Sequence, residues 1–339
     1  MSGILSGWRR LAAWILVACL VVSACGRGGD DEKGSAAQAS DPKDPKTIAF
    51  LRAVASTQPE NQQAFLDELE RGGYVVGQNL TLRAEAMEEV HADEASARAA
   101  VDAWRVDGVD LIVALSTMGA AVARDAAPDT QVLFLVNDPV AAGLVSDVRH
   151  PEGRLTGATF FVPPDRTLDV ARRALPGAEV IGAVYPPGDP AAVRVADDAQ
   201  RAATALGMKL VTATFTSADD AGAAVESVRS QGAAAVWVLN TPTTVRFAQP
   251  LLAAARSASL PVVSNTSVVP AVVTLQPDTI ELYRQMARQA LQLFAGTPVR
   301  DVPVENPAKF VVAVSLVAAA EVGVSIPQAF LDRADRVVR

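Results

Sequence analysis

Between residues 109 and 145 the chain reads VDLIVALSTMGAAVARDAAPDTQVLFLVNDPVAAGLV. Two uninterrupted apolar runs, Leu111–Leu115 and Val132–Val136, flank a small-residue segment of helical length. Runs of this kind predict parallel strands covered on both faces, because a strand with one wet face alternates apolar and polar positions. The same unit recurs on either side. Thr47–Val54 and Leu155–Phe161 predict further strands, and the alternating Asn79–Ala86 predicts a strand near a sheet edge. Pro59–Arg71 places Phe65, Leu66 and Leu69 at helical spacing before Gly72-Gly73, and Asp93–Trp104 reads as an Ala-rich helix.

The alternation then restarts. Helix Arg166–Leu175 leads to strand Val180–Tyr185, helix Pro190–Leu206 to strand Lys209–Phe215, and helix Asp219–Gln231 to strand Ala233–Leu239. Helix Thr243–Ser257 and strand Pro261–Ser264 close this second series. The remainder supplies strand Ala271–Leu275, helix Thr279–Ala295, strand Phe310–Val314 and a short helix at Leu316–Val322. Alternating β and α elements imply parallel sheets. The expected fold is therefore α/β, with two doubly wound parallel-sheet lobes joined by a hinge and separated by a cleft. Lobe 1 is expected over residues 47–157, completed by about 266–300, and lobe 2 over 158–265, completed by about 301–322. Residues 323–339 read as a C-terminal tail. In such sheets ligands bind at the carboxyl ends of strands, and clefts between domains are favoured sites.

The first 46 residues stand apart. Arg9-Arg10 precede an apolar stretch, Leu11–Val22, too short for a stable bilayer span, and Val22-Ser23-Ala24-Cys25 follows. That ending resembles a bacterial lipobox, which implies a signal peptide over residues 1–24 and lipidation of Cys25. Two or three acyl chains would hold the protein to the membrane stably, on its extracytoplasmic side. Residues 25–46, rich in Gly, Ser, Asp, Lys and Pro, read as a flexible tether. The other cysteine, Cys19, lies in the apolar stretch, so neither a disulfide framework nor a thiol metal site is expected. A formal net charge of −8 argues against a nucleic-acid partner.

Catalytic signatures are missing. The sequence contains no GxGxxG, no GxxxxGK[ST] and no GxSxG. His91 and His150 sit in loop-like contexts and read as solvated surface residues, as do Glu85, Glu88 and Glu89; Asp107 and Asp110 flank a strand start. The expectation is a pocket that holds a small molecule without transforming it, with no cofactor, no metal and no enzymatic activity.

Several segments together resemble the substrate-binding lipoproteins of ABC transporters of the TrpX type, which are linked to tryptophan and other aromatic amino acids. Gly73-Tyr74-Val75 with Gly77-Gln78-Asn79 is similar to that family's turn into its second strand. Asp110–Ala114 followed by Ser116-Thr117, Asp138-Pro139-Val140 with Gly143-Leu144-Val145, and Pro151-Glu152-Gly153 with Thr156-Gly157 resemble its later lobe-1 segments. Gly323-Val324 and Ile326-Pro327 resemble its close. In lobe 2 the chain departs: Ala191-Ala192, Thr241-Pro242-Thr243 and Pro270-Ala271 stand where the family tends to carry Asn-Ser, Thr-Asp-Asn and Gly-Ala. The resemblance implies a type I periplasmic-binding-protein-like fold and an importer's solute receptor, with a membrane permease as partner. A ligand-sensing or scaffolding envelope lipoprotein of the same fold is the alternative.

The candidate ligand contacts in lobe 1 are Gln58, Ser116, Thr117, Met118 and Asp138. Ser116-Thr117-Met118 opens a helix, where hydroxyls and free N–H groups suit a carboxylate or carbonyl, or where Thr117 is simply the cap. Asp138 is able to accept from an amine, or to close a turn with Pro139. In lobe 2 the candidates are Tyr185, held by Pro186-Pro187, and the strand-exit residues Asn240 and Thr241; Trp237, mid-strand, reads as core.

Overall fold

The computed structural model describes residues 43–53, 59–83, 90–241, 244 and 246–339. The expected signal peptide, Cys25, most of the tether, Gln58 and the three glutamates at 85, 88 and 89 lie outside the described residues.

Lobe 1 is a five-stranded, wholly parallel sheet in the order β2-β1-β3-β4-β5. Its strands are β1 (Lys46–Leu51), β2 (Leu80–Leu82), β3 (Leu111–Ala114), β4 (Gln131–Val136) and β5 (Leu155–Thr159). The two apolar runs that organise the sequence are β3 and β4, side by side at the centre, with every β3 residue buried. Helix α1 (Pro59–Arg71) packs with α8 (Thr279–Phe294), and α2 (Glu94–Val106) packs with α3 (Thr117–Ala126). Phe50, Phe65, Phe134, Leu111 and Met286 belong to one continuous core beneath them. Asp93 caps α2 and Ser116 caps α3, each side chain accepting an N–H from the first turn.

Lobe 2 carries seven strands in the order β12-β11-β10-β9-β8-β6-β7. These are β6 (Val180–Tyr185), β7 (Lys209–Thr214), β8 (Ala235–Val238), β9 (Val262–Ser264), β10 (Val273–Pro277), β11 (Phe310–Ser315) and β12 (Arg336–Val338). Among the described residues it also carries helices α4 (Pro164–Ala174), α5 (Pro190–Ala205), α6 (Ala218–Ser230), α7 (Ala248–Ser257), α9 (Leu316–Glu321) and α10 (Gln328–Leu331). Both faces of the sheet are covered. Trp237 joins one core and its neighbours Val236 and Val238 the other, as successive residues of a strand must.

Three details differ from the expectation. Strand β10 pairs with β9 in the second sheet rather than completing lobe 1, whereas α8, which follows it, does pack on lobe 1. The second sheet is not wholly parallel: β11 runs antiparallel to β10. The chain leaves lobe 2 after β10 and returns to β11 from the same end of the sheet, so β11 has to run the other way. Residues 301–305, expected in lobe 2, belong to lobe 1, where Val302 is buried and Glu305 pairs with Ala158 of β5. The segment read as a tail instead adds α10 and β12 to lobe 2.

Among the described residues the lobes are thus linked by three crossovers: residues 160–163, 277–279 and 305–309. Gly157 lies at the base of the first. Its carbonyl accepts from the Glu305 N–H (2.9 Å) and from Gln289 Nε2 (2.9 Å). Gln285 of α8 reaches the third crossover, donating to Glu305 (2.8 Å) and accepting from the Ala308 N–H (2.9 Å). Helix α8 therefore anchors the hinge to the lobe-1 core.

Candidate functional site

The carboxyl ends of both sheets meet at a pocket. Asn137 and Asp138, past β4, line it from lobe 1, and Phe160, Phe161 and Val162 of the first crossover form one wall. Lobe 2 supplies Ala191, Arg194, Val195 and Asp198 of α5, Asn240 and Thr241 past β8, and Asn265 past β9. The free volume is about 80 Å³.

Asp138 spans the gap. One carboxylate oxygen, Oδ1, accepts the Ala141 N–H (2.9 Å), the local turn that its sequence context suggests. The other, Oδ2, forms an ion pair with Arg194 of the opposite lobe. Arg194 is carried on α5, whose first turn is fixed by Asp189: its Oδ1 accepts the N–H groups of Ala191 (3.0 Å) and Ala192 (3.2 Å). Asn265, 5 % exposed, is fully engaged: it accepts from Trp237 Nε1 (2.8 Å) and donates to Thr167 Oγ1 (2.9 Å) and the Leu275 carbonyl (3.0 Å). It forms a rigid polar floor. The Thr241 hydroxyl is also used locally, with Thr244 Oγ1 (2.9 Å) and the Thr244 N–H (3.2 Å).

The structure therefore brings together three of the expected residues, Asp138, Asn240 and Thr241. Ser116, Thr117 and Met118 lie on the same carboxyl edge of lobe 1, after β3, but do not line this pocket. Ser116, not Thr117, caps α3, with its Oγ accepting the Gly119 N–H (3.0 Å), and Thr117 is exposed. Tyr185 does not line the pocket either; its ring packs against the lobe-2 core. Trp237 is core, as its position in an apolar strand implies, although its indole N–H reaches the pocket floor.

Sequence reasoning passed over Arg194, Asn265 and the Phe160–Phe161 wall. Asn265 follows a buried strand just as Asn240 does, so the same rule would have found it. Nothing local marks Arg194, one arginine on a polar helix face. His91 is a correction: it is buried, edge-on to Trp104 with ring centres 5.9 Å apart, because its own backbone is held against the end of β1. There its backbone N–H donates to the Arg52 carbonyl (2.7 Å). Arg52 itself is buried at the β1 exit and donates to Gln62. Burial lowers the pKa of Arg52 and raises that of Tyr283, and each partly offsets the shift of the other. His150 is exposed. Among the described residues no group of three or more His, Cys, Asp or Glu side chains is placed to hold a metal ion.

A family model described as ABC transporter substrate binding protein matches residues 56–338. A curated relative, a tyrosine-binding protein of Clostridioides difficile, is 26 % identical over 182 residues, 52 % of each chain. The match thus spans about half the length of that relative. Among solved structures, the ligand-free, open form of a substrate-binding protein with adhesive properties from Clostridium difficile superposes with a TM-score of 0.74. It is 22 % identical, and the match covers 86 % of this chain and 99 % of that one. A Streptococcus pneumonia ABC domain in complex with L-Trp gives 0.66 at 20 % identity, covering 87 % and 100 %. A conserved domain protein from Vibrio cholerae gives 0.68 at 24 % identity, with the same coverage.

Proposed function

The chain belongs to the ABC transporter substrate-binding protein family, and from that premise we propose that it captures an aromatic amino acid between its lobes and delivers it, chemically unchanged, to a membrane permease. The observation that carries this reading is the pocket at the facing strand ends, where Asp138 and Arg194 offer opposite charges beside Phe160 and Phe161. An amino acid presents both charges on one carbon, and an aromatic side chain suits an aromatic wall. That the curated relative is a tyrosine-binding protein, and that one structural neighbour carries L-Trp, supports the same class of ligand.

Capture works by hinge closure. A guest held by both half-sites favours the arrangement in which the lobes approach, and a ligand shifts that equilibrium only by its differential affinity. The present free volume is below the ~150 Å³ that admits benzene in an apolar protein cavity. An aromatic guest therefore enters when Arg194 swings aside or the lobes part. Acylation at Cys25 would tether the receptor outside the cytoplasm, near its permease. Among the described residues no helix is long and apolar enough to cross a membrane.

The test is a thermal-shift screen of the purified protein against the common amino acids, with mass spectrometry of any co-purified small molecule. Aromatic amino acids are expected to raise the melting temperature in a concentration-dependent way, because they bind the native state preferentially. Stabilisation by another solute class alone would overturn the ligand assignment. No stabilisation by any solute, together with association with another envelope protein, would favour the scaffold alternative.

A further inference from the structure

Resting on the amino-acid reading above, we propose that Arg194 and Asp138 are the two charge-recognising groups of the cleft, and that a zwitterionic guest exchanges with their mutual ion pair. The guest's carboxylate takes the Arg194 guanidinium, and its ammonium takes Asp138 Oδ2.

The geometry divides Asp138 in two. Oδ1 is occupied by the Ala141 N–H at 2.9 Å, which fixes the carboxylate on the lobe-1 rim. Among the described residues the partner of Oδ2 comes from across the cleft, Arg194, and both residues line the same pocket. The neighbouring charges do not compete for this role. Asp198, one turn along α5, is paired with Arg201 on its own helix, and the rest of the rim beside Arg194 is Ala191, Val195 and the Phe160–Val162 wall.

Exchange is favourable for a zwitterion and for little else. An amine lacking a carboxylate would take Asp138 and leave Arg194 without a counter-ion; an acid lacking an ammonium would do the reverse. A guest with both charges replaces one ion pair by two, and leaves neither group unmatched. The two charges of an α-amino acid hang on one carbon, so Asp138 and Arg194 need separate only by the width of that headgroup. The side chains are 27 % and 46 % exposed. A pair with that much solvent contact is weak, so it opens readily, while the bridged guest still joins one lobe to the other. The resident pair acts as a placeholder that rejects singly charged analogues.

The experiment is a calorimetric titration of the wild-type protein and three variants with L-tyrosine, tyramine, which lacks the carboxylate, and 3-(4-hydroxyphenyl)propionate, which lacks the ammonium. The wild type is expected to prefer L-tyrosine over each analogue by about 10- to 100-fold, the range of a charge-assisted hydrogen bond or two. Arg194→Ala is expected to bring the preference over tyramine to within about threefold, and to leave most of the preference over the propionate. Asp138→Asn keeps the acceptor for Ala141 and is expected to do the opposite. Arg194→Lys, which keeps the charge but loses the planar fork, is expected to fall between wild type and Arg194→Ala. If the wild type binds L-tyrosine and its preferences survive both neutral substitutions, the exchange is wrong and the amino-acid reading stands. If no aromatic amino acid binds the wild type, the amino-acid reading fails and this proposal falls with it.

Discussion

Asp278 and Lys309 tie two of the three crossovers together. The Asp278 N–H donates to the Lys309 carbonyl (2.9 Å), and the Lys309 ammonium donates to the Asp278 carboxylate (2.8 Å). The same carboxylate caps α8 through the Glu281 N–H (3.2 Å). Partial burial by itself raises the Asp278 pKa, but the hydrogen bonds from Lys309 and Glu281 outweigh it and hold the group below the ordinary carboxylate value. A lowered folded-state pKa stabilises the protein above the unfolded value, about 3.9 for Asp, and that stabilisation is lost as pH falls through the folded value. Urea midpoints measured from pH 7 to pH 3 should therefore fall less steeply for Asp278→Asn than for wild type. Lys309 is shifted upward by its hydrogen bond to Asp278, so its contribution is complete below about pH 10.4 and is lost as pH rises beyond it. Lys309→Met should flatten both ends of the profile.

Ser116 and Thr117 separate stability from binding at one helix start. Ser116 Oγ accepts the Gly119 N–H, so Ser116→Ala should cost about 1 kcal/mol in chemical denaturation, the usual value of a lost cap. Thr117 is exposed and makes no cap, so Thr117→Ala should change stability by less than ~0.5 kcal/mol. If its hydroxyl meets the guest, the same substitution weakens L-tyrosine binding several-fold. An unchanged dissociation constant would remove Thr117 from the site.

The strands and helices of both lobes were legible because each buried strand is a short apolar run bounded by polar residues or glycine. β3, β6 and β8 emerge from that pattern alone. What the pattern lacked was direction and distance. The reversal of β11 depends on where the chain re-enters lobe 2, and the partition of residues 271–305 depends on which lobe each segment touches after a crossover. Neither is a local property. The candidate site shows the same division. Asn240 and Asp138 could be named because strand exits are recognisable, and Asn265 was available by the same rule. Tyr185 also ends a strand, yet it packs, half-buried, against the lobe-2 core and does not line this pocket. Arg194 is meaningful only once the opposite lobe is in place, since its partner lies 56 positions earlier in the chain.

Gly157 should tolerate no side chain. It pairs with Phe134 across β4 and β5, and a Cβ placed on it would stand 2.0 Å from the Phe134 carbonyl oxygen and 2.6 Å from the Phe134 nitrogen. Those are backbone atoms of a central buried strand, so relief requires the two strands to part. Gly157→Ala is expected to cost ~3 kcal/mol or more, at or above the top of the range for overpacked cores. Because the Gly157 carbonyl also anchors Gln289 and Glu305, hydrogen exchange should accelerate in α8 and the third crossover along with β5. A loss of protection confined to β5 would show that the hinge does not hang on this carbonyl.

Trp237 and Asn265 give a test of how rigid the pocket floor needs to be. The indole N–H donates to Asn265 Oδ1 at 2.8 Å, and both side chains are buried. Trp237→Phe removes the donor and leaves that oxygen without its partner, a penalty of about 1–3 kcal/mol in addition to any packing loss. Asn265→Leu alone instead strands the indole N–H and the groups that Asn265 Nδ2 serves, Thr167 and the Leu275 carbonyl. Removing both members of a buried polar pair costs less than removing either partner suggests, since no orphan remains between them. The double variant should accordingly be more stable than the sum of the two single losses, by on the order of 1 kcal/mol in a denaturation cycle. Binding should not recover with it: without Asn265 the floor loses its fixed polar group, so the double variant is expected to bind L-tyrosine no better than Asn265→Leu. Stability and affinity rising together in the double variant would mean that the floor acts by packing alone.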